Sequence, residues 1–347
     1  MIDSQIQVGL ASFGMSGRIF HAPFIEHNPN FNLKLILERN KTDSSALYPN
    51  AKIVKDFDTL IHDKHIDLVV VNTPTNLHFE MARDALLAGK HVVLEKPMTA
   101  TSKEAEELIK LAEDQKLLIA VYHNKRLEGA FKTIKKLLSE NTLGELTNCQ
   151  ISLHRYRPGI GAKAWKEGNY PGAGLLYDLG SHLIDQCLDL FGWPQDIEAD
   201  LQIQRTNGRV IDYFHITLKY KNFNAVIVSD MLTKENKPSY VFMGTKASFV
   251  KYGNDPQEAR LSEGLVNWPT LGEDVEENYG ILTVNKTGNT EIIKTTYCSY
   301  EQFYINLFEA LTQNVPLLIP SEQALKVIKM IEWVQASASV INVGEGK

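Results

Sequence analysis

Short apolar runs alternate with amphipathic stretches over the first third of the chain. In the amphipathic stretches the apolar residues recur three or four positions apart, which indicates helices that pack by one face. The apolar runs are rich in valine, isoleucine and leucine, as buried strands are. The predicted strands are Gln5–Ser12, Leu33–Leu37, Asp67–Asn72, His91–Leu94 and Leu117–Val121. Strands that alternate with helices are typical of a doubly wound parallel sheet.

The pattern changes after Arg126. A helix is predicted over Glu128–Glu140, and alternating strands follow it, which favours a mostly antiparallel sheet. These strands are Asn148–Arg155, Val210–Tyr220, Ala225–Met231, Tyr240–Tyr252 and Ile281–Thr296, and helices Glu301–Gln313 and Glu322–Ala338 close the chain. We therefore predict an α/β domain over residues 1–123 and an α+β domain over residues 124–347.

Composition agrees with two globular domains. The chain has 347 residues, of which 44% are hydrophobic and 22% charged, so each domain can bury a core. A formal net charge of -6 argues against general nucleic-acid binding. No signal peptide and no membrane span are predicted, and three widely spaced cysteines fit a reducing compartment. We expect a soluble cytoplasmic protein.

A glycine turn follows the first predicted strand and opens a helical pattern, which is the context of a dinucleotide-binding (Rossmann) fingerprint. Gly14 would let the backbone approach a pyrophosphate, and Gly17 would allow close helix–strand packing. Ser12 stands where the fingerprint has its first glycine, so a plain tight turn is the alternative. The predicted cofactor residues here are Phe13, Gly14, Met15, Ser16, Gly17 and Arg18.

The end of the second strand bears on the choice of cofactor. Glu38 lies 21 residues beyond Gly17, close to the spacing of roughly 20 for the acid that binds the adenosine ribose. Glu38 would favour NAD, whereas Arg39 could pair with a 2′-phosphate and favour NADP. These two neighbours leave the choice open. The exit loop of the third strand would also line the cofactor through Thr73, Pro74, Asn76 and His78, although Asn76 could instead cap the next helix. Ser102 is predicted to cap the helix after that.

The fourth strand ends in Glu95-Lys96-Pro97. Ligands bind beyond the carboxyl ends of strands in such sheets, so Lys96 is expected at the edge of a crevice. A lysine held beside Glu95 can have its proton affinity tuned for acid/base chemistry. The alternative is a surface salt bridge.

In the second half, a glycine-rich stretch leads to Asp178 and His182. Residues four apart share a helical face, and a carboxylate can orient an imidazole for proton transfer. The alternative is a half-buried histidine without a catalytic role. No metal site is predicted, because no third ligand stands at a recognisable spacing. Trp165 and Lys166 lie just upstream.

Taken together, these motifs resemble the Gfo/Idh/MocA oxidoreductase family over nearly the whole chain, and within it the subgroup similar to NADP-dependent scyllo-inositol dehydrogenase. Further matching segments are Phe20-His21-Ala22-Pro23, Tyr122-His123-Asn124, Arg155-Tyr156-Arg157-Pro158, Tyr177-Asp178-Leu179-Gly180-Ser181-His182 and Val250-Lys251-Tyr252-Gly253.

The resemblance implies a Rossmann domain, then a domain with a large, mostly antiparallel open sheet that often mediates dimers, and hydride transfer between NADP or NAD and a sugar, cyclitol or polyol. NADP is favoured. A homodimer or homotetramer is expected.

By position, the resemblance implies that Lys96 bonds the substrate oxygen, His182 exchanges the proton, and Asp178 binds substrate and orients the pair. Glu95 would orient Lys96 or the nicotinamide. Trp165 and Lys166 would lie near the cofactor, with lysine in place of the family's arginine. The further predicted contacts are Asn124, with cofactor and substrate, and Arg155 and Tyr156, with substrate.

Three other classes are compatible with these motifs. One is a sugar-processing enzyme that keeps a resident NAD, and the second is a non-catalytic regulator that senses NAD(P) or sugar on the same fold. The third is a metal-dependent enzyme centred on His182.

Overall fold

The computed structural model describes residues 5–344, apart from the side chain of Ala164. Its Cα atoms form two compact units. One contains the described residues up to Asn124 together with Glu258–Val266 and Tyr300–Ile328, and the other contains Lys125–Gln257, Asn267–Ser299 and the described residues from Lys329 onward. The predicted domain limits at residues 1–4 and 345–347 lie outside the described residues, and the border near residue 123 stays a prediction.

The first unit contains a six-stranded sheet in which every pair is parallel. Its strands are β1 (Ile6–Leu10), β2 (Phe31–Leu37), β3 (Lys52–Val54), β4 (Leu68–Val71), β5 (His91–Glu95) and β6 (Ile119–Tyr122). Their order is β3-β2-β1-β4-β5-β6. The chain builds the sheet to one side of β1 up to β3 and then crosses to the other side with β4, so a crevice opens beyond the carboxyl ends of β1 and β4. The predicted doubly wound parallel sheet is confirmed, with the short β3 added.

The second unit contains a nine-stranded, mostly antiparallel sheet, as predicted. Two pairs are parallel, β7 with β10 and β8 with β15. In sheet order the strands are β14 (Thr290–Ile293), β13 (Gly280–Val284), β12 (Ala247–Lys251), β11 (Tyr240–Gly244), β7 (Leu146–His154), β10 (Asn224–Asp230), β9 (Tyr213–Lys219), β8 (Asp196–Ile203) and β15 (Val340–Asn342).

Several predicted boundaries of this sheet were wrong. The predicted strand Tyr240–Tyr252 is a hairpin, β11 and β12, because the chain reverses after Gly244. The predicted strand Ile281–Thr296 is likewise two strands, β13 and β14, which are separated by a turn where Gly288 has φ +70°. The sequence pattern also missed β8 and β15, since β8 carries acidic residues and β15 is only three residues long.

The helices cover the predicted amphipathic stretches and add three short helices that were not predicted, at Phe57–Ile61, Ala164–Glu167 and Gln257–Ser262. They are α1 (Ala22–His27), α2 (Phe57–Ile61), α3 (His78–Leu87), α4 (Ser102–Gln115), α5 (Gly129–Ser139), α6 (Ala164–Glu167), α7 (Ser181–Phe191), α8 (Gln257–Ser262), α9 (Glu301–Gln313) and α10 (Ser321–Ser337). The predicted cap of α4 was wrong by one residue. Thr101 accepts the backbone N–H of Glu104, whose side chain accepts the N–H of Thr101, and this reciprocal pair outcompetes Ser102.

No helix within residues 5–344 is both long and apolar enough to cross a membrane. Across the same residues, no group of three histidine, cysteine or acidic side chains is arranged to hold a metal ion. All three cysteines are buried as free thiols.

Candidate active site

The glycine turn after β1 is held together by Ser12 and requires Gly17. The hydroxyl of Ser12 accepts the N–H of Gly14 at 3.2 Å, so serine supports the turn at the position of the missing first glycine. A Cβ at Gly17 would lie 2.2 Å from the carbonyl oxygen of Ser12 and 2.7 Å from Nδ2 of Asn72. Only glycine therefore fits where the π-helical turn Gly17–His21, which leads into α1, meets the strand.

Two buried polar atoms beside this turn support binding of a dinucleotide. Asn72, at the end of β4, donates from Nδ2 to the carbonyl oxygen of Ser12 at 2.8 Å. Its Oδ1, and the hydroxyl of Ser16, are buried and have no hydrogen-bond partner among the described residues. Because buried polar atoms normally have partners, a hydroxyl that can donate to phosphate and an amide oxygen that can accept from a ribose fit NAD(P) here.

The other predicted residues of the turn lie at its surface. Gly14, Met15 and Arg18 are exposed. The Phe13 ring meets the Tyr48 ring edge-on, with centroids 5.8 Å apart. These positions leave the turn accessible from the end of β1, and their contacts with a cofactor stay predictions.

Glu38 and Arg39 differ in their surroundings. Glu38 is buried and its carboxylate accepts hydrogen bonds from Asp43 and Ser44, whereas Arg39 is exposed. The structure therefore gives Glu38 a role inside the loop that follows β2, and the ribose contact that the spacing predicts stays a prediction.

The exit loop of β4 is tied to the end of β5 by His78. The ring nitrogens of His78 lie 2.9 Å from the carbonyl oxygens of Thr73 and Pro97. Burial lowers the pKa of His78; the neutral ring has a single N–H and can donate to only one of these two oxygens. Asn76 is exposed in a turn before α3 and is not the residue that caps this helix.

Glu95 and Lys96 lie at the end of β5 in a hydrogen-bonded cluster. Glu95 Oε1 lies 3.1 Å from Nε2 of His21, and Oε2 accepts the backbone N–H of Lys96 at 3.1 Å. Nδ1 of His21 lies 2.8 Å from the hydroxyl of Tyr304 on α9. Lys96 is half-buried, and its peptide bond to Pro97 is cis. The cluster fixes the backbone from which the Lys96 side chain extends.

In the second unit, Asp178 belongs to a cluster of charges. The turn before it needs glycine, because Gly174 has φ +89° and its N–H bonds to the carbonyl oxygen of Lys166. Asp178 lies in the π-helical turn Leu176–Gly180 that leads into α7. Its carboxylate is 2.9 Å from Nζ of Lys166 and 4.0 Å from the guanidinium of Arg155. These groups can hold a polyhydroxylated or anionic ligand by charge-assisted hydrogen bonds.

His182 is buried in the first turn of α7, directly after the turn that contains Asp178. One turn further on, Asp185 accepts two hydrogen bonds from Arg126, at 2.7 and 2.6 Å. Arg126 also donates to Asp189 at 3.1 Å. This buried guanidinium fixes the helix that carries His182.

The remaining predicted residues are distributed around these groups. Lys166 Nζ lies 5.2 Å from the centre of the Trp165 ring, within range of a cation–π contact. Tyr156 is 55% exposed, with Lys234 over its ring. Asn124 is buried at the start of the turn Asn124–Leu127. Their contacts with cofactor and substrate stay predictions.

Sequence reasoning missed Asn72, Ser44 and Tyr304. A polar residue directly after the all-valine end of β4 was a signal for Asn72. Tyr304 lies on a helix 283 residues away from His21 in the chain, and nothing in the local pattern points to that contact.

The parallel sheet with a glycine turn at its switch point defines a Rossmann-type dinucleotide-binding fold. The comparisons with known proteins agree. Residues 6–123 match the model "Oxidoreductase family, NAD-binding Rossmann fold", and residues 135–340 match "Oxidoreductase family, C-terminal alpha/beta domain". The chain belongs to the Gfo/Idh/MocA oxidoreductase family, and it is an NAD(P)-dependent dehydrogenase or reductase that acts on CH–OH groups.

Individual relatives cover almost the whole chain. The chain is 38% identical to scyllo-inositol 2-dehydrogenase (NADP(+)) IolW of Bacillus subtilis, over 96% of this chain and 94% of that protein. The solved structure of yvaA from Bacillus subtilis superposes with a TM-score of 0.92 at 37% identity, covering 96% of each chain. An oxidoreductase from Bacillus cereus gives a TM-score of 0.87 at 29% identity, over 96% of this chain and 97% of that chain.

Proposed function

We propose that this protein interconverts a secondary alcohol and a ketone of a cyclitol, sugar or polyol, with NADP as its preferred cofactor. The observation that carries the substrate class is the cluster of Asp178, Lys166 and Arg155 beside the turn that leads to His182. Such charged groups recognise several hydroxyl groups at once. The Bacillus subtilis relative is named as an NADP-dependent scyllo-inositol dehydrogenase, which supports a cyclitol.

The proposed roles follow from the chemistry of each group. The nicotinamide ring, when bound, supplies the hydride acceptor or donor. Oxidation also removes the hydroxyl proton, and His182 is the proposed group that takes it. Lys96 is proposed to hydrogen-bond the same oxygen, and Asp178 to bind a neighbouring hydroxyl and to orient the imidazole. Glu95 holds the backbone of Lys96 in place.

NADP is proposed over NAD because of the adenosine end of the site. The Glu38 carboxylate is engaged within its own loop, while Arg39 and Lys41 are exposed beside it. Cations at this position suit a 2′-phosphate. The contacts of Gly14, Ser16, Thr73 and Trp165 with the cofactor belong to the same proposal.

The proposed homodimer or homotetramer has support in one face of the nine-stranded sheet. Gln150, Val241, Val250, Ile281 and Ile292 are successive cross-strand partners, and therefore share a face. Ile281 is 44% exposed and Ile292 is 72% exposed. Four of these five side chains are apolar, and apolar side chains that are exposed together on one sheet face are typical of an association surface. Light scattering of wild-type protein and of Ile281→Lys would test whether this face joins the subunits. The variant is expected to have the smaller molar mass in solution.

The function is tested by nicotinamide fluorescence and absorbance. Titration with NADPH and with NADH should show tighter binding of NADPH, and NADP⁺ should then be reduced in the presence of inositols or hexoses. His182→Asn should abolish reduction while NADPH still binds. Folded protein that binds neither nucleotide, and carries none from purification, would overturn the proposal in favour of a regulator. Bound nucleotide that is retained without net reduction would indicate the sugar-processing class.

A further inference from the structure

The loop after β2 encloses the acid that the sequence assigns to the adenosine ribose. Glu38 is 6% exposed and Ser44 is 1% exposed. Oε2 of Glu38 accepts the hydroxyl of Ser44 at 2.5 Å and its N–H at 3.1 Å, and Oε1 accepts the N–H of Asp43 at 3.1 Å. Three donors within the protein thus satisfy this carboxylate.

Lys55 holds the same loop closed from the other side. Its ammonium donates to the backbone carbonyl oxygens of Glu38, at 3.0 Å, and Lys41, at 2.9 Å. The N–H of Glu38 also bonds to the carbonyl oxygen of Val54 at the end of β3. The backbone of Glu38 is therefore fixed at both its N–H and its carbonyl group. Its side chain cannot turn outward without losing the hydrogen bonds from Asp43 and Ser44, and leaving buried donors without partners costs free energy.

The enclosure changes which groups face a nucleotide. A carboxylate at this position reads the 2′-hydroxyl of NAD and repels the 2′-phosphate of NADP. When the carboxylate is turned into the loop, the exposed groups at the end of β2 are Arg39, Asn40 and Lys41. Lys41 lies 3.3 Å from Asp43, and both side chains are exposed. The accessible positive charges next to the strand end are that of Arg39 and that of Lys41, which is paired with Asp43.

We propose that Ser44 is a cofactor-selectivity residue, whose hydroxyl holds Glu38 away from the adenosine ribose and so leaves the 2′ position to Arg39. This inference rests on the proposed NADP preference. Ser44 is a positioning residue, because it acts through Glu38. Removing the hydroxyl takes away the shortest of the three hydrogen bonds and leaves the carboxylate held only by the N–H groups of Asp43 and Ser44. The carboxylate can then turn outward more readily, accept from the 2′-hydroxyl of NADH and repel the phosphate of NADPH.

The test is a fluorescence titration of purified protein with NADPH and NADH, which needs no substrate. Ser44→Ala should lower the ratio of the NADH Kd to the NADPH Kd about tenfold, the effect of losing one hydrogen bond to a charged group. Ser45→Ala is the matched control, because Ser45 is exposed and its hydroxyl donates to the carbonyl oxygen of Thr42 instead. Its ratio should equal that of wild type. An unchanged ratio in folded Ser44→Ala would overturn the inference.

Glu38→Gln tests the same inference with Ser44 in place, because the amide oxygen can still accept from Ser44, although the NH2 group cannot accept from Asp43. An enclosed Glu38 does not touch the ribose, so this variant should change the NADH Kd by no more than about twofold. A loss of about tenfold in NADH affinity would overturn the inference, whether or not Ser44→Ala folds. If folded wild-type protein bound neither nucleotide, the proposed function would fall. If Ser44→Ala bound both nucleotides with altered affinity but with the wild-type ratio of the NADH Kd to the NADPH Kd, only the role of Ser44 would be overturned.

Discussion

Nε2 of His21 lies 3.1 Å from a carboxylate oxygen of Glu95, and both side chains are buried. Burial alone would raise the pKa of Glu95, but the hydrogen bond from His21 and the positive charge of Lys96 lower it below its ordinary value. An ionised carboxylate accepts only, so Nε2 carries the proton. With Nε2 as the donor, Nδ1 can accept from the hydroxyl of Tyr304, 2.8 Å away. Burial raises the pKa of Tyr304 and keeps that hydroxyl protonated.

Tyr304→Phe should lower the free energy of unfolding by about 1 kcal/mol or more, because it leaves Nδ1 of buried His21 without its donor. Tyr122→Phe is the matched control. Its ring packs against His21, but its buried hydroxyl has no hydrogen-bond partner within residues 5–344, so its removal should be neutral or stabilising. Urea unfolding measures both variants. If the two variants lost the same free energy of unfolding, the hydroxyl of Tyr304 would not support His21.

Lys96→Ala should lower kcat by about 10²-fold or more, the usual contribution of a positioned acid or base, while NADPH still binds. Stopped-flow or steady-state assays give kcat, and nucleotide fluorescence gives the Kd. Lys103→Ala, an exposed lysine at the start of α4, should behave as wild type. Loss of NADPH binding in Lys96→Ala would assign the residue to the cofactor or to the fold.

Gly17→Ala and Gly14→Ala should separate folding from cofactor binding. A Cβ at Gly17 meets a backbone oxygen at 2.2 Å, whereas at Gly14 its nearest neighbour is the Ser12 hydroxyl at 3.4 Å. Gly17→Ala should therefore destabilise the fold by about 1–3 kcal/mol. Gly14→Ala should leave the melting temperature unchanged and weaken NADPH binding, since its Cβ stands where the pyrophosphate approaches. If Gly14→Ala bound NADPH as tightly as wild type does, the pyrophosphate would not lie close to Gly14.

Asp230→Asn should reveal an acid-sensitive contact between β7 and β10. Burial alone would raise the pKa of Asp230, but hydrogen bonds from His154 and Thr233 lower it from 3.8 to about 2. The native state therefore binds fewer protons than the unfolded state, and this contribution is complete above the unfolded pKa. As pH falls from 5 to 3, wild type should lose up to about 1 kcal/mol relative to the variant, and less at high salt. Urea unfolding at pH 5 and at pH 3 measures the difference in free energy of unfolding between wild type and Asp230→Asn. The same difference at both pH values would contradict this contact.

Arg126→Met should cost about 3–5 kcal/mol, because it leaves the buried Asp185 without its bidentate partner. Arg83→Met removes a half-buried arginine whose side chain is 38% exposed beside Asp84 and should cost no more than about 1 kcal/mol. Chemical denaturation compares the two. A small loss for Arg126→Met would mean that the helix carrying His182 does not depend on this guanidinium.

The sequence alone determined the parallel sheet and its glycine turn. Buried strands such as Leu68–Val71 are continuous apolar runs. The helix that follows Gly17 requires a tight turn after the strand. Both features depend on residues that are neighbours in the chain. The same local logic brought Lys96 to a strand end and placed Asp178 and His182 on consecutive helical turns.

Only the tertiary structure decided which partner each polar group has. The spacing from Gly17 assigned Glu38 to a ribose, yet its carboxylate is turned toward Ser44. Tyr304 reaches His21 from a distant helix, and Lys166 reaches Asp178 across a glycine turn. Spacing along the chain fixes where a side chain begins, but hydrogen bonds and ion pairs depend on where folded segments meet, and those meetings are set by long-range packing.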